Sequence, residues 1–239
     1  ERGKIFNMNY RNISDLNNTI LRNLSLIPSD IDCIVAIPRS GIIPAILISL
    51  YKNLPFYELH SFVSGQICGG GERLKTYNLE SYNKILVVDD SLWSGNSLSN
   101  AKEELAKVKL SYEYIYAAIY VKPGSEKLID ISFELLDIPR VFQWNLFHHY
   151  LLKNACLDLD GVLCVDPRDD ENDDGENYLN FLTAAKPLYI PTVEINTIVS
   201  CRLEKYRQLT EAWLHSHNIK FNNLILLDLP DKDARTKWN

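Results

Sequence analysis

Methionine is nearly absent from this chain of 239 residues. Met8 is the only one, so translation is expected to begin there, with the preceding residues foreign to the native protein. Cysteine is scarce too. Cys33, Cys68, Cys156, Cys164 and Cys201 lack the paired short spacings of a zinc site or a disulfide framework, which favours a reducing cytoplasm. No apolar run approaches the roughly 20 residues that cross a bilayer, and the polar opening ERGKIFNMNY has no secretion-signal character. Basic residues are outnumbered: 25 Lys and Arg against 31 Asp and Glu leave a formal charge of -6. Broad nucleic-acid binding is therefore disfavoured, while a local anion pocket is not. Internal repeats and low-complexity tracts are also missing. What remains, 46% hydrophobic and 23% charged, is the composition of a folded globular protein long enough for one large domain or two modest ones.

Periodicity places a helix over 12–25 (Leu16, Ile20 and Leu24 on one face), a buried strand in IDCIVAIP and a helix in IIPAILISLYKN. LPFYELHSFV reads as extended, and 64–83 as a long glycine-containing loop. KILVVDD at 84–90 is a strand buried on both faces, Leu98, Ala101, Leu105 and Val108 mark the next helix, and EYIYAAIYV is another buried strand. Alternating strands and helices imply an α/β parallel sheet whose ligand sites lie beyond the carboxyl ends of the strands. Residues 122–150 read as accessory structure over that site. A second alternation then begins: a strand at 154–159, an acidic loop at 166–177, an extended segment at 192–200, a helix from Leu203 to about His217, and the strand NNLILLD. The expected domains are 1–150 and 151–239.

ILVVDDSLWSGNSL, residues 85–98, carries the most chemistry. A strand delivers Asp89 and Asp90 to its carboxyl end, expected to face solvent, and a hydroxyl and glycine turn opens a helix. Trp93, Ser94, Gly95, Asn96 and Ser97 can wrap a phosphate at the positive helix terminus, Gly95 allowing close backbone approach. Two ionised carboxylates beside that turn suit the vicinal hydroxyls of a ribose. Each piece alone reads equally well as an ordinary strand end and turn; it is the order of the pieces that carries the signal.

This segment resembles the signature of type I phosphoribosyltransferases that binds phosphoribosyl pyrophosphate (PRPP), with serines at both threonine positions, Asn96 for a glycine and Trp93 for a smaller residue. IVAIPRSGIIPA resembles the same family's diphosphate loop, with Arg39, Ser40 and Gly41 as its binding residues. CGGGERLK resembles the mobile hood, with Gly69, Gly70 and Gly71 as hinge and Arg73 or Lys75 closing on the diphosphate. The resemblance implies displacement of magnesium-bound diphosphate from the anomeric carbon of PRPP, with Asp89 and Asp90 stabilising the sugar.

In NACLDLDGVLCVDP, Asp158 and Asp160 are spaced to share one face of a strand end, as a carboxylate nucleophile and its acid/base partner would, with a metal held between them. The string resembles the first motif of haloacid dehalogenase-like phosphatases, and Ser200 matches the phosphoryl-binding hydroxyl of their second. Arg202 reads either as a substrate-orienting group or as an exposed residue at a helix start. The family's third and fourth motifs are not recognisable, Lys232 and Lys237 being weak candidates for the lysine, so a second, truncated Rossmann-like phosphatase domain is expected. The acidic run imitates a calcium loop at Asp170, Asn172, Asp174 and Gly175 but puts Phe181 where a glutamate is needed, and reads better as a solvated cap loop. His148, His149, Cys164, Cys201 and Trp144 read as structural, Trp144 with a weaker claim to touch an acceptor.

Together the resemblances imply a bifunctional magnesium-dependent enzyme similar to bacterial proteins that add ribofuranose to surface polysaccharides. It would transfer phosphoribose to a glycan or glycolipid acceptor and then remove the 5-phosphate. The alternatives are a nucleobase phosphoribosyltransferase and a non-catalytic PRPP sensor. A homodimer is left open.

Overall fold

The structure, a computed structural model, describes residues 8–66 and 78–238. The chain divides into two compact units, Glu1–Trp144 and Asn145–Asn239. Residues 145–150 therefore pack with the second unit: Phe147 stacks on Tyr189 at 4.3 Å, and His148 Nδ1 lies 3.0 Å from Thr192 Oγ1.

In the first unit β1 (Asn9–Arg11) leads into α1 (Ile13–Asn23). Asn12 starts that helix by a reciprocal cap, its side chain accepting from Asp15 N while Asp15 accepts from Asn12 N. The exchange satisfies backbone donors that the first turn cannot pair internally. β2 (Cys33–Ala36), α2 (Ile42–Lys52), β3 (Phe56–Glu58) and α3 (Leu59–Val63) follow. Next come β4 (Lys84–Leu92), α4 (Asn96–Leu105), β5 (Glu113–Val121), β6 (Ile131–Leu135) and β7 (Arg140–Phe142).

Five strands form one parallel sheet in the order β3-β2-β4-β5-β6, and β1 pairs with β7 apart from it. Central strands covered on both faces must be apolar throughout, and β2 is buried at every residue. Ile34, Ala36, Leu86 and Val88 face a core completed by Leu16, Ile20, Ala45 and Ile48 of α1 and α2. Cys33, Val35, Ile85 and Val87 face the opposite core, with Phe62, Leu98, Ala101 and Leu105 of α3 and α4. Helices thus cover both faces. The chain steps from β2 outward to β3, then returns across β2 to β4 and continues outward the other way. Connections leaving β2 and β4 consequently part in opposite directions, opening a crevice at their carboxyl ends.

Two details differ from the sequence expectation. β4 continues past Asp90 to Leu92, because its ladder with β5 persists through Leu92 and Val121. Residues 59–63 are helical rather than extended, because Glu58 accepts from the backbone N–H groups of His60 and Ser61.

The second unit contains β8 (Cys156–Asp158), α5 (Glu176–Ala184), β9 (Ile195–Leu203), α6 (Arg207–Ser216), β10 (Phe221–Leu227) and α7 (Lys232–Trp238). Its parallel sheet has the order β10-β9-β8 over a core of Leu159, Leu182, Ile198, Trp213 and Leu214. β9 runs on to Leu203, so Cys201 and Arg202 belong to a strand and not to the start of a helix. No helix among the described residues is long and apolar enough to cross a membrane.

Leu86 is fully buried at the centre of the first sheet. Leu86→Ala is expected to cost about 2–5 kcal/mol from the cavity it leaves, read as a lower urea midpoint for the first unit.

Candidate functional site

The crevice between β2 and β4 is built first by backbone proximity. After β2 the chain passes Ile37 and the cis Pro38–Arg39 peptide to reach Gly41. A Cβ at Gly41 would lie 2.7 Å from the Val88 carbonyl oxygen and 3.0 Å from the Asp89 Cα, closer than a side chain tolerates. Glycine here lets the Arg39–Gly41 loop rest directly against the end of β4. Ile37 N donates to the Val88 carbonyl at 2.9 Å, fixing the same contact. Arg39, Ser40 and Gly41 are thus brought beside Asp89.

Adjacent strand residues point to opposite faces, and the two acids accordingly divide. Asp89 is half-buried, its Oδ1 accepting from Asp90 N at 2.8 Å. Asp90 is buried, only 5% exposed, contrary to the solvent-facing position expected for both acids. Its Oδ2 accepts from Trp144 Nε1 at 2.7 Å. Trp144 is held in turn by stacking on Phe142, ring centres 4.9 Å apart. Burial, and then the neighbouring Asp90 charge, push the Asp89 carboxyl well above the ordinary carboxylate range. Burial also raises Asp90, with the Trp144 hydrogen bond, the Asp89 contact and the nearby Arg140 charge acting against it. Arg140, itself buried, donates to the carbonyls of Leu92, Leu136 and Tyr120 at 2.9, 3.1 and 3.3 Å. It thereby ties β7 to the end of β4. Sequence reasoning missed the Trp144 and Arg140 partnerships; the pairing of β1 with β7, which sets their position, leaves no periodicity to read.

After Leu92 the chain turns through Trp93, Ser94 and Gly95 into α4. Gly95 takes φ 84°, a left-handed conformation that favours glycine, and no side chain caps the helix. Trp93, Ser94, Asn96 and Ser97 are exposed. Ser94 Oγ accepts from Asn96 N at 3.4 Å, and Ser125 Oγ holds the Trp93 carbonyl at 2.9 Å. Uncapped N–H groups, hydroxyls and the helix dipole all favour an anion at this turn. Gly69, Gly70, Gly71, Arg73 and Lys75, the expected hood, lie outside the described residues.

In the second unit, Asp158, at the end of β8, is exposed and accepts from Leu159 N at 2.7 Å. Asp160 is gripped by Arg202, whose Nε and NH2 donate at 3.0 and 2.6 Å, and by Ser200 Oγ at 3.1 Å. Arg202 is 1% exposed, which removes the second of its two expected readings, an exposed residue at a helix start. The Ser200 hydroxyl is engaged twice, since it also accepts from Arg202 N at 3.1 Å. Asp160 and Ser200 are thus hydrogen-bonded to one another and to Arg202. Among the described residues no group of three or more His, Cys, Asp or Glu could hold a metal ion. Lys232 Nζ donates to the Asn172 carbonyl, and Lys237 is exposed.

The raised acids give a signed pH dependence. Carboxyls that titrate higher in the folded chain than in the unfolded one contribute stability that is present below the ordinary value of 3.8 and is lost as pH rises through the raised values. Asp90→Asn keeps an acceptor for Trp144 while removing the charge. It is expected to raise the melting temperature of the ligand-free protein by a few degrees at pH 8 and to change it little at pH 4, as calorimetry would read.

No family model matches the chain. A hypoxanthine/guanine phosphoribosyltransferase of Methanothermus fervidus is 31% identical over 108 residues, 41% of this chain and 57% of that protein. The match thus spans little more than half of that relative's length. A xanthine-guanine phosphoribosyltransferase of Idiomarina loihiensis is 25% identical over 124 residues, 49% of this chain and 73% of that protein. Among solved structures, the xanthine-guanine-hypoxanthine phosphoribosyltransferase of Helicobacter pylori is 18% identical, with 59% of this chain and 93% of that one covered at a TM-score of 0.45. A purine phosphoribosyltransferase of Pyrococcus horikoshii is 20% identical, covering 58% and 94% at 0.45. Neither of the two relatives by sequence is described as a phosphatase or as acting on a sugar polymer. The expected transfer to a polysaccharide sugar with later dephosphorylation is corrected on this finding, because the relatives by sequence are both purine phosphoribosyltransferases. The first unit thus has an α/β fold on a five-stranded parallel sheet, and the chain is similar in sequence to two phosphoribosyltransferases.

Proposed function

We propose that the first unit transfers the 5-phosphoribosyl group of PRPP to a purine base and releases diphosphate. The observation that carries this reading is the meeting, at one switch point of the sheet, of an uncapped helix start, a pair of raised carboxyls and an arginine-bearing loop. Each matches one part of PRPP. The Ser94–Ser97 turn suits the 5-phosphate. Asp89 suits the ribose hydroxyls, which would donate to it and favour its ionised form. The Arg39–Gly41 loop suits the diphosphate, whose negative charge grows as the bond from the anomeric carbon to its oxygen breaks and a ring nitrogen of the base forms the new bond.

Asp90, buried against Trp144, positions this arrangement from below and contributes negative potential near the anomeric carbon, where positive charge develops. Trp144, partly exposed and backed by the buried Phe142, offers an aromatic ring beside Asp90, of the chemistry a planar heterocycle stacks on. Magnesium fits the donor set in a limited way. It is commonly held by one or two carboxylates together with substrate phosphates, and Asp89 and Asp90 are adjacent oxygen donors whose mutual repulsion a cation would relieve. Bound there, the ion would neutralise diphosphate charge.

Incubation with PRPP, magnesium and, separately, hypoxanthine, guanine and xanthine, followed by mass, tests the proposal. A nucleoside monophosphate and diphosphate are expected in equal amounts from at least one base. Asp89→Asn is expected to lower kcat/KM about 10²–10³-fold, the scale for losing one electrostatic group at a reacting centre. PRPP binding without product from any purine would leave a sensor and overturn the transferase reading.

A further inference from the structure

Two charged side chains are buried among the described residues of the first unit, Asp90 and Arg140, and the proposed transfer gives a part only to the first. A buried guanidinium is costly to desolvate unless its donors are taken up. Arg140 makes no ion pair among the described residues. Its donors go to three backbone carbonyls, those of Leu92 at 2.9 Å, Leu136 at 3.1 Å and Tyr120 at 3.3 Å. Leu92 ends β4, Tyr120 is the last residue but one of β5, and Leu136 directly follows β6. One side chain therefore gathers the carboxyl ends of three neighbouring strands, which an amide with two donors could not do.

The fastening continues into the turn that follows β4. The Leu92 carbonyl also accepts from Lys122 N at 2.9 Å, and the next carbonyl, that of Trp93, accepts from Ser125 Oγ at 2.9 Å. These carbonyls belong to the two peptide groups that lead into Ser94. A trans peptide is planar with its N–H opposed to its C=O, so anchoring the two oxygens also aims the N–H groups of Trp93 and Ser94. Gly95, at φ 84°, then carries the chain into α4. The entrance to the turn is thus held from outside, by residues of the β5–β6 connection and of β7.

We propose that Arg140 and Ser125 are positioning residues for the 5-phosphate: by holding the two carbonyls that lead into the Ser94–Ser97 turn, they aim its first N–H groups before the ligand arrives. A turn aimed in advance binds more tightly because less freedom is lost on binding. The proposal rests on the reading of that turn as the 5-phosphate site. It gives both residues an effect confined to one end of the donor, since the Arg39–Gly41 loop is held separately, by Gly41 packing on β4 and by the bond from Ile37 N to the Val88 carbonyl.

Binding of the two halves of the donor, which needs no turnover, tests it. Backbone ¹H–¹⁵N spectra of the full chain with magnesium are titrated with ribose 5-phosphate, read at the amides of Ser94–Ser97, and separately with inorganic diphosphate, read at Gly41. Ser125→Ala is expected to weaken ribose 5-phosphate about fivefold, the scale of one lost hydrogen bond. Arg140→Gln should weaken it about tenfold or more, and Arg140→Lys, which keeps the charge and a donor, should recover part of that loss. Diphosphate affinity is expected to change less than about twofold in all three, whereas general damage to the fold would weaken both probes alike. If the Arg140 variants do not fold, Ser125→Ala, at a part-exposed position that leaves the three-carbonyl anchor in place, is read alone. Equal weakening of both probes, or ribose 5-phosphate affinity unchanged in the folded variants, overturns the positioning role and leaves the transferase reading standing. A wild-type chain whose Ser94–Ser97 amides do not respond to ribose 5-phosphate overturns both.

Discussion

At Gly41 the loop after β2 lies so close to the end of β4 that no side chain fits between them, and the chemistry of the first unit depends on that approach. β2 and β4 are paired in parallel through Ala36 and Val88, so their carboxyl ends are level, and the connections that leave them diverge. A parallel sheet creates such a crevice wherever its order reverses. Gly41 makes it narrow: the residues suited to a diphosphate are held against the residues suited to a ribose, with the helix start of α4 at the far end. On the proposed reading, a single small molecule carrying a phosphate, a sugar and a diphosphate would span these parts in sequence.

The same closeness creates an electrostatic conflict. Asp89 and Asp90 are neighbours at a buried strand end, and both carboxyls are pushed toward the protonated form. Without ligand this arrangement costs stability, and part of the cost is offset by the Trp144 indole and the Arg140 charge. Sites that must stabilise developing positive charge keep such strain because a ligand relieves it.

Much of the first unit was legible because its cues are local. The unbroken apolar runs of β2, β4 and β5 specify strands buried on both faces, and Asp-Asp followed by Ser-Gly-Asn specifies a strand end opening a helix. The burial of Asp90 was not legible, since it depends on Trp144, 54 positions away in the chain. Nor was the helix at 59–63, which depends on Glu58 turning back to cap it. In the second unit the spacing of Asp158, Asp160 and Ser200 suggested a reacting pair and a phosphoryl ligand. The extension of β9 carries Arg202 inward, where its guanidinium pairs with Asp160, the same carboxylate to which Ser200 donates its hydroxyl proton. Short motifs name residue types; which partner reaches them first is decided by strand length and register.

The account's central claim is that one donor molecule lies across Arg39, Asp89 and the Ser94–Ser97 turn, and that its hydroxyls and metal draw the acids into their charged form. Calorimetric titration with PRPP and magnesium near neutral pH, repeated in buffers of different ionisation enthalpy, measures both parts at once. Saturable binding accompanied by net proton release, with the release reduced in Asp89→Asn, is the predicted result. Absence of binding, or binding with no proton release that Asp89→Asn leaves intact, would contradict it.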